Sequence, residues 1–91
     1  MTTKEELLAM LDRVVALQRK VFAEGKTQKI EIEPENRTDI GMKNVTIVAH
    51  NDVQNKDDKY YFKFFTLYSF DSPEENEQRI KAMCDYLGIK E

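Results

Sequence analysis

Residues 60–70 read Tyr-Tyr-Phe-Lys-Phe-Phe-Thr-Leu-Tyr-Ser-Phe. Aromatic and β-branched residues favour extended backbone, and here large apolar side chains fall on both the even and the odd positions. Lys63 is the only charge in the run. A strand of this kind cannot float with one face in water; each face needs cover. That cover must come from a chain of 91 residues, and a domain so short buries only about 60–65% of its unfolded surface.

The helices that could supply it are marked locally. Thr3 followed by Glu6 forms a capping box, and Leu7, Leu8, Leu11, Val14, Val15, Gln18, Val21 and Phe22 then recur at helical steps up to Gly25. A second helix opens on Ser72, with Pro73 at its first position and Glu75 three residues after the cap. It carries Ile80, Met83, Cys84 and Leu87 on one stripe and stops at Gly88, where Ile89 can fold back as in a Schellman ending. Between the helices, Gln28–Glu33 alternates as a half-buried strand and Pro34 ends it. Residues 34–43 read as a long connection, Asn44–His50 as a second strand, and 51–59 as a polar turn. The order predicts an α+β fold, α-β-β-β-α: one domain spanning 1–91, a three-stranded antiparallel meander with both helices packed on one face.

The element order is shared with the double-stranded-RNA-binding domain, and the resemblance stops at topology. That family grips phosphates with lysines at the start of its second helix and enters the minor groove with a Gly-Pro-x-His loop. Here the helix begins Pro73, Glu74, Glu75, Asn76, Glu77, and no such loop occurs. Charge agrees. The net charge is −3 and the pI about 5.2, unlike the basic footprint of a duplex binder. The acid is concentrated in residues 30–58, with seven acidic and three basic groups.

Chemistry finds little to work with. Three unclustered glycines exclude a P-loop or a dinucleotide fingerprint. The one cysteine, Cys84, sits on an apolar helical stripe where a thiol serves as a small hydrophobe, and the one histidine, His50, ends a strand. His50, Asp52, Asp57 and Asp58 lack calcium-loop spacing. No catalytic residue, metal, cofactor or small-molecule substrate is implied. A lone cysteine, no signal-peptide pattern and apolar runs far short of a membrane span point to a cytoplasmic protein.

What remains is surface. If Ile30, Ile32, Phe62 and Phe64 face the helices, the opposite face presents Val48, Tyr61, Phe65 and Leu67. Strand 60–70 is also expected at the sheet edge, where unpaired backbone invites another strand. The sequence therefore predicts a small non-enzymatic interaction module, self-associating as a homodimer or covered by a protein partner. Its contact residues are Tyr61, Phe65, Leu67 and Val48, with Ile40 and Met42 at the rim. Size and composition resemble bacterial or phage accessory proteins. A competing expectation is an acidic inhibitor or nucleic-acid mimic, offering Glu31, Glu33, Glu35, Asp39, Asp57 and Asp58 to a basic partner. A third is a single-strand nucleic-acid binder that stacks bases on Tyr61 and Phe65 beside Lys63.

Overall fold

The computed structural model describes residues 1–51 and 62–91; the turn from 52 onward, with Tyr60 and Tyr61, lies outside the described residues. The order is α1 (Lys4–Ala23), β1 (Lys29–Arg37), β2 (Met42–His50), β3 (Phe62–Tyr68) and α2 (Pro73–Leu87). The three strands form one antiparallel sheet in the order β1-β2-β3, so β2 is central and both others are edges. The helices pack on one side of it, as the alternation and short connections require.

The helix ends follow the local chemistry. Thr3 Oγ1 accepts the Glu6 N–H and the Glu6 carboxylate accepts the Thr3 N–H, both at 3.1 Å. The bond from Thr3 also holds the Glu6 carboxyl below its ordinary pKa. At the other end the Gly25 N–H donates to Phe22 and the Lys26 N–H to Val21, a Schellman closure made possible by the positive φ of Gly25. The same pair of bonds ends α2, from Gly88 to Asp85 and from Ile89 to Cys84.

The inward line of α1 is Leu7, Met10, Val14, Leu17 and Val21, spaced alternately by three and four. This corrects the sequence stripe. Leu8 and Phe22 lie one residue, about 100°, around the helix from that line and are 48% and 86% exposed. Against the inward line pack Ile30, Val45, Ile47, Ala49 and Leu67 from the sheet and Ile80, Met83, Cys84 and Leu87 from α2. Arg13 clasps α2 and the C-terminal tail, meeting Glu77 and both Glu91 carboxylate oxygens. Its guanidinium holds the Glu91 carboxyl below the ordinary range.

The strands depart from the sequence reading at Pro34. β1 runs through it to Arg37, and the expected 34–43 loop shrinks to a turn at 38–41. Backbone direction explains why. The Ser69 N–H donates to the Lys43 carbonyl at 2.9 Å, so the odd residues of β2 bond β3 and the even residues bond β1. In the observed register, Lys29, Glu31, Glu33 and Glu35 of β1 then face β2, while Ile30, Ile32, Pro34 and Asn36 point their backbone groups outward. Pro34 lacks an N–H where the ladder needs none, which is how proline is tolerated on an edge.

Candidate protein contact surface

The face of the sheet turned away from the helices is built in rows across the register. Glu31, Val48 and Phe64 form one; Glu33, Thr46 and Thr66 the next; Lys29, His50 and Phe62 lie beyond. Phe64 is 65% exposed, and its ring meets that of Phe62 edge-on at 5.6 Å between centroids. Val48 is half-buried between Glu31 and Phe64. The face thus runs from acidic at β1 to aromatic at β3.

This reverses the orientation expected of the third strand. Leu67 is fully buried among the core residues, and Phe65 is half-buried on the same side with its ring 6.3 Å from Tyr86. Lys63 lies over the Tyr86 ring at 5.0 Å. Leu67 therefore has no surface to offer a partner. The aromatic side chains on the outer side of β3 are Phe64, mostly exposed, with half-buried Phe62 beside it, while Phe70, just past the strand, is 54% exposed and stacked on Tyr68. The reason is register: Leu67 stands opposite Val45 and Phe65 opposite Ile47, both inward residues of β2, so the odd side of β3 must also turn inward. For the same reason Phe65 and Lys63 do not join the exposed aromatic row as a base-stacking platform.

The other expected contact residues scatter. Ile40, 61% exposed, belongs to the 38–41 turn, and Met42 lies six residues along β2 from Val48, about 20 Å at the rise of a strand. They do not rim the Phe64 surface. Tyr61, Asp57 and Asp58 lie outside the described residues. Glu31, Glu33 and Glu35 line the outer side of β1, all exposed, while Asp39 sits in the turn, 3.4 Å from Arg37. Glu31 accepts from Lys29 at 3.2 Å and meets His50 at 2.8 Å. Lys29 first and His50 second hold its carboxyl below the ordinary range.

The chain matches no protein-family model, no curated protein and no solved structure. Its function has to be read from its own geometry.

Two residues shape this surface that sequence reasoning passes over. Asn76, with no exposed surface, turns its amide onto the outer edge of β3. Its Oδ1 accepts the Tyr68 N–H at 3.2 Å and its Nδ2 donates to the Tyr68 carbonyl at 2.9 Å, as a neighbouring strand would. Nδ2 also donates to Thr2 Oγ1 at 2.8 Å, and Arg79 donates to Oδ1 at 2.9 Å. Gln18 does the like on the other edge, donating to the Ile30 carbonyl at 2.8 Å. Each side chain lies far in sequence or in another element from the strand it seals, so only polarity on an apolar helical face hints at it.

Elsewhere, burial pushes the Cys84 thiol above its ordinary pKa, which suits an inert core residue more than a nucleophile. A groove of about 730 Å³ between the end of α1 and β1, lined among others by Phe22, Lys26 and Ile30, holds no histidine, cysteine or carboxylate. Among the described residues no group of three or more His, Cys, Asp or Glu side chains could hold a metal, and no helix is long and apolar enough to cross a membrane.

Proposed function

We propose that this protein is a small non-enzymatic, cytoplasmic interaction module that meets another protein molecule through the outer face and free edge of β3. The observation that carries the reading is Phe64: a large apolar side chain, mostly exposed, on an edge strand and beside Val48. Apolar surface of this kind clustered on one face marks contact sites, and covering one such side chain contributes about 1.5–3 kcal/mol.

A second reading has its own observation: Glu31, Glu33 and Glu35 share the outer side of β1, the arrangement of an acidic inhibitor or nucleic-acid mimic. Salt separates the two, because exposed charge pairing weakens steeply with ionic strength while apolar contact barely responds. The test pairs wild type with Phe64→Lys as bait in extract from the native host at 50 and 500 mM salt, beside light scattering of each protein alone. Module function through β3 requires association, with itself or with another protein, that survives salt and is lost in Phe64→Lys. Retention lost with salt and kept by Phe64→Lys supports the acidic surface instead. A strictly monomeric protein for which both baits retain the same set overturns the β3 reading.

A further inference from the structure

The two edges of the sheet differ in what their backbones offer. In β3 the even residues turn away from β2, because Ser69 and its odd-numbered companions bond β2. Tyr68 is one of those even residues, and Asn76 has taken both of its groups. Phe64 and Thr66 are turned the same way, and among the described residues nothing bonds their outward N–H and C=O groups.

We infer that a second copy of this chain occupies that edge, antiparallel, so that two three-stranded sheets join into one of six. The inference rests on the reading that β3 is the contact strand and adds which molecule lies against it and in which register. A strand pairing with itself about a two-fold axis has few registers to choose from. Centred on Thr66, the pairing would set Phe64 against Tyr68, whose groups Asn76 already holds. Centred on Phe65, it sets Phe64 of each copy against Thr66 of the other, and all four outward N–H groups find carbonyls. Asn76 therefore disfavours the Thr66-centred register and, in the Phe65-centred one, confines the ladder to Phe64 and Thr66, because Tyr68, opposite Phe62, is already held.

Charge permits this seam. Lys63 is the only charge from 62 to 68, and in this register it stands opposite Leu67 of the second copy, not opposite another lysine. The acidic strips on the two β1 strands end up at opposite rims of the joined sheet. Five strand spacings separate them, about 24 Å, well beyond the roughly 8 Å screening length at physiological salt. Growth stops at two copies, because Pro34 has no N–H to offer on β1 and Gln18 holds the Ile30 carbonyl there. The ladder holds four backbone hydrogen bonds along one short strand, so the dimer is expected to be weak and to depend on concentration.

The experiment is sedimentation equilibrium of the whole chain from about 10 µM to 1 mM, with amide hydrogen exchange followed by NMR over the same range. Wild type should move from monomer toward dimer mass. Protection of the Phe64 and Thr66 amides should rise at least fivefold with concentration, while Ile32 and Asn36, outward on β1, stay unchanged. Thr66→Pro removes one outward N–H as Pro34 does on β1, and should weaken association at least tenfold. Phe64→Lys, at an exposed position, serves where the proline variant does not fold and should do the same. A monomer throughout overturns the inference while leaving β3 free to meet a different protein, which the bait comparison decides separately. A dimer whose Phe64 and Thr66 amides stay unprotected overturns it, as does mass growing past two copies.

Discussion

β1 and β3 are both edge strands of one small sheet, yet they solve the problem of unpaired backbone in opposite ways. β1 places proline at an outward position, draws a glutamine from α1 onto a carbonyl, and carries exposed carboxylates along its outer side. β3 has no proline and a single charge, Lys63; Asn76 acts as a one-residue surrogate strand at Tyr68, while among the described residues nothing bonds the outward groups of Phe64 and Thr66. Proline, charge and covering elements are the usual means of keeping an edge from pairing. β1 is defended at Ile30 and Pro34 and by its exposed carboxylates, whereas β3 leaves Phe64 and Thr66 open, and that contrast is the ground for proposing β3 as the edge that takes another chain.

The difference can be broken or sharpened by substitution. The largest effect is expected inside β3 itself. Leu67→Ala, at a fully buried position, should lower unfolding free energy by about 2–5 kcal/mol, whereas Phe64→Ala, on the outward side with only its Phe62 and Val48 contacts to lose, should lower it by about 1 kcal/mol. Urea denaturation of both reads the phase of the strand directly, and equal losses would contradict it. Next comes Asn76→Ala, which leaves the Tyr68 groups and Thr2 without their partner; a loss of about 1–3 kcal/mol is expected, together with faster exchange of the Tyr68 amide.

Pro34→Val tests the defended edge. It restores an outward N–H without touching the β1–β2 ladder, so stability should shift by less than about 1 kcal/mol, while light scattering at high concentration should show species larger than the wild type forms. The smallest effect is electrostatic. Glu31 and Glu91 have carboxyl pKa values lowered by Lys29 and His50 and by Arg13 respectively. The stability they add is therefore present above the ordinary carboxylate range and disappears as pH falls through the lowered values. Both groups are exposed, so the term is minor; Glu31→Gln should reduce, but not remove, the fall in urea midpoint between neutral and acidic pH.

Both helices with their caps and stops were legible in the sequence, because each rests on bonds between residues three to five apart, and the element order with its antiparallel meander was legible from alternation and short connections. The Thr3–Glu6 box, Pro73 and the glycine stops at Gly25 and Gly88 need nothing from the rest of the molecule. The phase of β3 was not legible. With aromatic rings on both alternations, a period of two cannot say which set faces inward, and the register against Val45 and Ile47 chooses Leu67 and Phe65.

Pro34 illustrates the same limit. Whether its missing N–H breaks a strand depends on which neighbour the backbone faces there, and that neighbour is β2, reached only after the chain has turned. The two amides that seal the edges likewise gain their role from elements that meet only once the sheet is assembled. Short-range hydrogen bonding settled what this chain is made of. Long-range pairing settled which of its surfaces remains open, since the facing direction of a strand belongs to the pair and never to one strand alone.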